Sequence, residues 1–187
     1  DADFNRKSFT TGHTGFGIPF ITNPDRSDVP RSAARPLRYM DRYVTVTQGQ
    51  VFFVTEMLTA LEGIERGPAG NISLAAAFSL GQELKEDQTI IVQETEYTGA
   101  GKHHQAQLAF ARQNGIDVVF GDPKTEIPGQ SIILPRSVAD LSYNELSLAE
   151  IRESYLRNAV KNTKTITKAD LQFLVEETKA SDRKSVV

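Results

Sequence analysis

The stretch from Leu58 to Lys102, LTALEGIERGPAGNISLAAAFSLGQELKEDQTIIVQETEYTGAGK, carries most of the information about the fold. It predicts the end of a helix, a tight Gly-Pro turn, a helix rich in small residues, an apolar strand and a glycine-rich loop. The run Thr89–Val92 has apolar residues on both of its faces. Such a run is typical of a strand buried inside a parallel sheet.

A strand and a capped helix are predicted before this stretch. Tyr43–Thr47 is a run of β-branched and aromatic residues, which favours a strand. Thr47 and Gln50 have the spacing of a capping box and open a helix that ends at Gly63. The apolar face of that helix consists of Val51, Val54, Met57, Leu58 and Leu61. Residues 1–36 are rich in turn-forming glycine and proline and are expected to be irregular.

Helix and strand continue to alternate after the stretch. The pattern predicts a helix over His103–Asn114, ended by Gly115, and strands over Ile116–Phe120 and Ile132–Leu134. The inward side chains of the helix are predicted to be Leu108, Phe110 and Ala111. Alternating strands and helices indicate an α/β domain with a parallel sheet and right-handed crossovers, which we assign to residues 1–135.

Residues 136–187 differ, because they contain only amphipathic helical patterns. Ser147 and Glu150 have capping-box spacing before one helix, and Thr167–Asp170 opens another. We therefore predict a helical C-terminal extension to the α/β domain.

The composition excludes several functional classes. The 187 residues are 39% hydrophobic and 24% charged, as in an ordinary globular protein, and a net charge of -3 gives no reason to expect a nucleic-acid partner. The absence of cysteine excludes disulfides, thiolate zinc sites and cysteine nucleophiles. No apolar run approaches the length of a membrane span, and no signal peptide is visible. We expect a cytoplasmic protein without a membrane partner.

The loop Tyr97–Gly101 is the predicted ligand site. Ligands of parallel α/β sheets bind beyond the carboxyl ends of the strands, and this loop follows the predicted strand Thr89–Val92. Its glycines permit close backbone approach, and its threonine hydroxyl can donate or accept a hydrogen bond. The pattern alone is equally that of a plain turn from strand to helix.

The order of these motifs resembles the C-terminal part of the fold-type II pyridoxal-phosphate (PLP) enzymes, which include threonine synthase, threonine dehydratase and cysteine synthase. Leu61–Ile64, Pro68–Gly70, the small-residue helix, the strand and Thr98–Lys102 match the threonine-synthase pattern in order, and the resemblance covers about residues 12–102. It implies a tryptophan-synthase-β-like fold. Residues 1–135 would be the C-terminal half of the PLP-binding domain.

The resemblance also implies cofactor-binding residues. In this family a threonine or serine of the last turn bonds the pyridine nitrogen of PLP. The motif places Thr98 there, and counting along the strand from Asp87 makes Thr95 nearly equivalent. Gly99 and Gly101 belong to the same cofactor-binding turn.

Two departures limit the family match. The glutamate that the family usually has before the proline is replaced by Gly67. The family's Schiff-base lysine and glycine-rich phosphate loop both lie upstream of everything in this chain. We therefore predict no catalytic residue here, no internal aldimine in the chain alone, and a need for the missing N-terminal half or a partner subunit in a homo- or hetero-oligomer.

Within the group, Glu94–His104 is similar to a PLP-dependent thiolase of ornithine catabolism that uses coenzyme A and has a small second subunit. An amino-acid substrate and coenzyme A are the implied small molecules. A threonine-synthase-like enzyme and an ammonia-lyase are alternatives. A further alternative, from another class, is a non-catalytic subunit that binds a small ligand or regulates a partner.

Other polar residues give weaker signals. Arg38 and Arg42 have a spacing that suits a phosphate such as that of coenzyme A, although a solvated helix face is the more common explanation. His103 and His104 diverge on a helix and lack acids at metal-ligand spacing, so no metal site is predicted.

Overall fold

The structure, a computed structural model, describes residues 38–68, 70–93 and 104–179. The helices in this part of the chain are α1 (Gln48–Glu62), α2 (Ile72–Gly81), α3 (His104–Gln113), α4 (Leu148–Val160) and α5 (Lys168–Thr178). The strands are β1 (Tyr43–Thr45), β2 (Asp117–Phe120), β3 (Ser131–Leu134) and β4 (Asn144–Leu146). The described residues divide into two compact units, one built on Val44–Asn144 and the other on residues 38–43 together with residues 145–179.

The first unit is organised around the parallel pair β2 and β3. Asp117 lies opposite Ser131 and Phe120 lies opposite Leu134. The parallel pairing of these two predicted strands is thereby confirmed. Helices α1 and α3 pack on the pair. The buried core of this layer consists of Phe52, Leu108, Ala111, Ile116, Ile132 and Leu134.

Helix α1 begins and ends where the sequence predicts, but its N-terminus is capped differently. Thr47 is the N-cap residue and makes no side-chain cap hydrogen bond. The side-chain amide of Gln50 makes two hydrogen bonds. Its nitrogen Nε2 donates to Thr47 Oγ1 at 3.1 Å, and its oxygen Oε1 accepts from the backbone N–H of Ser142 at 2.6 Å. The predicted capping box is therefore wrong, because the buried Gln50 side chain is used to hold a distant loop. At the other end, Gly63 is left-handed (φ 64°) and its N–H donates to the carbonyl of Thr59, as predicted.

Helix α2 is shorter than its apolar pattern. It ends at Gly81, and turns at Glu83 and Leu84 follow, although the apolar pattern of the sequence continues to Leu84. Its small residue Ala75 is fully buried against α1. The second core cluster contains Val51, Val54, Ala75 and Leu141.

Two sequence-based assignments of buried residues are wrong. Thr89–Val92 forms no strand, and Ile91 is 94% exposed. A buried strand needs neighbours on both sides, and both two-stranded sheets of the described chain are built from other strands. Phe110, predicted to point inward on α3, is 54% exposed, because Leu108 and Ala111 form the buried face of that helix.

The second unit contains the two C-terminal helices. Helix α4 begins with one half of the predicted capping box, since Ser147 Oγ accepts from the N–H of Glu150. Helix α5 begins after Thr167, as predicted, and Thr167 and Asp170 form a complete capping box there that was not predicted. Ile151 is buried among Tyr43, Leu146, Leu148 and Tyr155. Strands β1 and β4 pair with each other in the second two-stranded sheet.

The described strands form only two two-stranded sheets, so the tryptophan-synthase-β-like architecture stays a prediction, as does a domain boundary between residues 135 and 136. Among the described helices, none is long and apolar enough to cross a membrane.

Candidate functional site

The residues predicted to bind the cofactor lie outside the described part of the chain. These are Thr95, Thr98, Gly99 and Gly101. Their role stays a prediction. The structure does describe the segments that lead to this loop, namely the Gly-Pro turn, helix α2 and residues 89–93.

The Gly-Pro turn is buried and tightly hydrogen-bonded. The N–H of Gly70 donates to the carbonyl of Gly67 at 3.0 Å, and the N–H of Asn71 donates to that of Pro68 at 3.1 Å. Gly67, which replaces the family's glutamate, is itself buried. This position therefore supports the turn that opens α2 and carries no acid.

Asn71 joins the turn to helix α1. Its amide nitrogen donates to Thr55 Oγ1 at 3.0 Å, and the Thr55 hydroxyl donates to the carbonyl of Val51 at 2.7 Å. Asn71 is fully buried, and its Oδ1 has no hydrogen-bond partner among the described residues. A buried acceptor without a partner costs about 1–3 kcal/mol. The junction of α1 and α2 therefore contains a buried polar pair in which the amide nitrogen of Asn71 has a hydrogen-bond partner and its amide oxygen has none within the described chain.

Glu126 is the acidic residue that the sequence analysis missed. It lies in the connection between β2 and β3, and its carboxylate accepts from the backbone N–H groups of Gln48 at 2.9 Å, Gly49 at 3.0 Å and Ile133 at 2.8 Å. Two of these donors form the first turn of α1, where a negative charge also interacts favourably with the helix dipole. The side chain thus replaces the absent Thr47 cap and ties α1 to β3.

The environment of Glu126 shifts its proton equilibrium. Burial raises the pKa of the Glu126 carboxyl to about 7, although the hydrogen bonds from Ile133, Gly49 and Gln48 act in the opposite direction. Beside Glu126, the backbones of Gly49 and Ile133 lie very close together, since a Cβ placed on Gly49 would overlap the carbonyl oxygen of Ile133. The group can hold or release a proton near neutral pH inside a packed layer, and no pattern in the sequence marks it.

The two arginines considered as phosphate ligands are engaged in ion pairs. Arg38 lies 2.8 Å from Glu177, and Arg42 contacts both carboxylate oxygens of Glu145 at 2.9 and 2.6 Å. The hydrogen bond from Arg42 holds the pKa of Glu145 below its usual value. These ion pairs favour the interpretation that both arginines lie on a solvated surface and do not bind a phosphate.

The described residues do not by themselves fit PLP. An aldimine needs a lysine amine held in a pocket, and the lysines of the described chain are exposed at positions 85, 124, 161, 164, 168 and 179. No group of three or more histidine, aspartate or glutamate side chains in this part of the chain could hold a metal ion. No catalytic step through the cofactor is derived from these residues.

Comparisons with known proteins give a more specific result than the geometry. No family model and no solved structure matches the chain. Two curated proteins match it along almost its whole length, and both are named as subunits of a thiolase.

Each of these relatives is a 2-amino-4-ketopentanoate thiolase beta subunit. The protein from Acetoanaerobium sticklandii is 62% identical over 182 residues, which is 96% of this chain and 39% of the relative. The protein from an unknown prokaryotic organism is 61% identical over 181 residues, or 96% of this chain and 38% of the relative. The chain is thus a homologue of these β subunits and spans about two fifths of their length. The names of these relatives confirm the resemblance to a thiolase that was based on Glu94–His104, while its PLP dependence stays a prediction. The compound 2-amino-4-ketopentanoate is also called 2-amino-4-oxopentanoate.

Proposed function

We propose that the chain is part of the β subunit of 2-amino-4-oxopentanoate thiolase, a PLP-dependent enzyme of ornithine degradation. The reaction joins the acetyl group of the substrate to the thiol of coenzyme A and releases alanine. The 62% identity to a named β subunit over 96% of the chain carries this proposal. PLP dependence rests on the order of motifs from Leu61 to Lys102.

In this proposal the chain contributes to cofactor binding and does not supply the lysine. The hydroxyl of Thr98, or of Thr95 in the alternative register, would bind the pyridine nitrogen, and Gly99 and Gly101 would permit close backbone approach to the cofactor. The cofactor supplies an electron sink for cleavage of the carbon–carbon bond. A neutral hydroxyl at the ring nitrogen moderates that sink.

The rest of the enzyme must supply the other groups. The curated relatives are more than twice as long as the matched region, and the described lysines are exposed. We propose that the remaining polypeptide of the β subunit carries the Schiff-base lysine and the phosphate-binding loop. The small second subunit completes the active enzyme.

The proposal is tested by assaying the complete β subunit together with its partner subunit. Acetyl-CoA and alanine should form from 2-amino-4-oxopentanoate and coenzyme A only when PLP is present. Release of ammonia and a 2-oxo acid would instead identify an ammonia-lyase. Failure to form acetyl-CoA with both subunits and PLP present would contradict the proposed function.

Variants of the same enzyme test the register of the cofactor turn. Thr98→Val removes the hydroxyl at nearly constant volume and should lower kcat about 10-fold or more, since the ring nitrogen loses its partner. Thr163→Val, at an exposed position after α4, is the matched control and should be silent. A silent Thr98→Val combined with a damaging Thr95→Val would assign the role to Thr95.

A further inference from the structure

The dipeptide Asn114–Gly115 connects helix α3 to strand β2, and it is the single asparagine–glycine pair in the sequence. The side-chain amide of an asparagine can be attacked by the backbone nitrogen of the following residue, which closes a five-membered imide ring. A following glycine hinders this attack least, because it has no Cβ. Both residues are exposed to solvent. The junction of α3 and β2 therefore places the most reactive asparagine context of the chain at the surface.

The backbone at this junction forms a Schellman motif, which is a common way for a helix to end. The N–H of Ile116 donates to the carbonyl of Ala111 at 3.0 Å, and the N–H of Gly115 donates to the carbonyl of Arg112 at 3.2 Å. The motif requires the left-handed conformation that Gly115 adopts, with a φ of 74°. The attacking nitrogen is thus held in a hydrogen bond while the turn is closed.

The leaving group of the reaction is also held in the closed turn. Nδ2 of Asn114 donates to the carbonyl of Phe110 at 2.9 Å, at an exposed position. The reaction therefore requires the turn to open and to release both nitrogens. Two exposed hydrogen bonds stabilise the closed form only modestly, and helix ends open at a much lower free energy than a core. Opening of the last turn of α3 is sufficient for the reaction, while the core of the first unit stays folded.

We propose that Asn114 is a deamidation site of this protein and that opening of the last turn of α3 controls the rate of the reaction. The backbone nitrogen of Gly115 loses its proton and forms a bond to Cγ of Asn114. The bond between Cγ and Nδ2 then breaks, and ammonia is released. The reaction needs only water as a co-reactant, and it is independent of the proposed thiolase activity.

Water opens the imide ring in one of two ways. Cleavage between Cγ of residue 114 and the nitrogen of Gly115 gives an aspartate with the normal backbone. Cleavage between the main-chain carbonyl carbon of residue 114 and the same nitrogen gives an isoaspartate, in which the chain runs through Cβ and is one atom longer. In both cases one water is consumed and one ammonia is released, and no group is oxidised or reduced.

Either product weakens the junction of α3 and β2. A carboxylate at position 114 cannot donate to the carbonyl of Phe110, so two acceptors face each other where a hydrogen bond existed. Its negative charge also lies at the C-terminus of α3, where the helix dipole disfavours an anion. In the isoaspartate, the additional backbone atom lies two residues before Ile116, which is buried in the first core. Deamidation should therefore lower the stability of the first unit.

Peptide mass spectrometry of the full-length protein that contains this chain measures the reaction. The folded protein is incubated at neutral pH and physiological temperature, and the aspartate and isoaspartate products are followed over time. Asn144 is the internal control, because it is exposed in the same unit and is followed by Glu145. We expect Asn114 to react about 10-fold or more faster than Asn144, which corresponds to about 1.4 kcal/mol in the activation free energy.

The same measurement in urea tests the control by the turn. In the unfolded protein Asn114 should react about 10-fold faster than in the folded protein, because the two hydrogen bonds of the closed turn are lost. If Asn114 reacted no faster than Asn144 in the folded protein, the proposed site would be wrong. If its rate were the same in the folded and unfolded protein, the turn would not control the reaction, and that part of the proposal would be overturned.

Two variants test the effect on stability. Asn114→Asp reproduces one product, and Gln113→Glu adds the same charge to the same exposed turn without removing the hydrogen bond to Phe110. In urea denaturation, the ratio of folded to unfolded protein should fall about 5-fold or more for Asn114→Asp and clearly less for Gln113→Glu. A stability of Asn114→Asp equal to that of the wild type would overturn the predicted coupling between deamidation and the fold.

Discussion

Glu126 Oε2 accepts a hydrogen bond from the backbone N–H of Ile133 at 2.8 Å, and the same carboxylate accepts two N–H groups from the first turn of α1. One side chain from a connecting loop therefore joins the helix and the strand that supply Phe52, Ile132 and Leu134 to the first core. The carboxylate is both an essential acceptor and a buried charge. Its protonation state should affect the stability of the fold.

The pKa of Glu126 predicts a pH dependence of stability. The folded-state pKa of about 7 exceeds the ordinary value of 4.5, so the folded protein binds more protons than the unfolded chain between these limits. The contribution of this group is fully present below pH 4.5 and is lost as the pH rises through 7. Because each pKa unit corresponds to about 1.4 kcal/mol, the free energy of unfolding should fall by at most about 3.5 kcal/mol across that window.

Urea denaturation between about pH 5 and 8 measures this slope. Glu126→Gln removes the titration and should flatten the pH dependence, while lowering stability at the acidic end because an amide supplies only one acceptor oxygen. Glu86→Gln, at an exposed position, should retain the wild-type slope. If the free energy of unfolding changed with pH in the same way in the wild type and in Glu126→Gln, another group would be responsible for the pH dependence.

Gly49 is predicted to be irreplaceable for steric reasons. A Cβ at this position would overlap the carbonyl oxygen of Ile133, which is backbone and cannot move aside without shifting β3. Gly49→Ala should destabilise the first unit by about 3 kcal/mol or more, at the upper end of overpacking costs. Thermal or urea denaturation followed by circular dichroism measures the loss.

Gly81→Ala is the matched control for this substitution. Its Cβ would meet only the Cδ1 atom of Ile90 at 3.8 Å, an ordinary van der Waals distance. Because Gly81 ends α2, alanine should be neutral or stabilising by up to about 1 kcal/mol. Equal losses for the two alanine variants would contradict the steric explanation.

The features that sequence predicted correctly are local ones. The helix end at Gly63 and the helix start after Thr167 depend on residues a few positions apart, so their pattern is sufficient. The parallel strands β2 and β3 were also predicted, since each is a short apolar run bounded by turn residues.

The features that sequence did not predict depend on distant partners. Glu126 receives N–H groups from residues 78 and 77 positions away, and no spacing rule connects such positions. Thr89–Val92 has the composition of a buried strand, but burial requires neighbours that the described chain does not provide. The cofactor turn at Thr95 and Thr98 stays a prediction from the family resemblance.

The pair Thr55 and Asn71 should contribute measurably to stability. Thr55→Val removes the acceptor of the Asn71 amide nitrogen and leaves both polar atoms of a buried amide without partners among the described residues. The expected cost is about 1–3 kcal/mol in the free energy of unfolding. Thr59→Val removes a hydroxyl from the exposed face of the same helix and should cost less than about 0.5 kcal/mol.

A double variant separates the polar pair from packing. Thr55→Val with Asn71→Leu replaces both partners by apolar groups and should recover part of the loss seen in Thr55→Val alone. Simple additivity of the two single losses would indicate that the two side chains do not interact in solution.

The chain alone should not retain PLP. Its described lysines are exposed and have no surrounding pocket to hold the cofactor, so any aldimine formed on them is open to hydrolysis by water. After mixing with PLP and gel filtration, the 187-residue chain should show no stoichiometric Schiff-base absorbance. Borohydride reduction followed by peptide mass spectrometry should find only scattered, substoichiometric modification.

The complete β subunit, treated in parallel, should retain the cofactor on one lysine outside the matched region. A single lysine of this chain modified to completion would place the aldimine within these residues and would contradict both the resemblance and the proposed division of the active site.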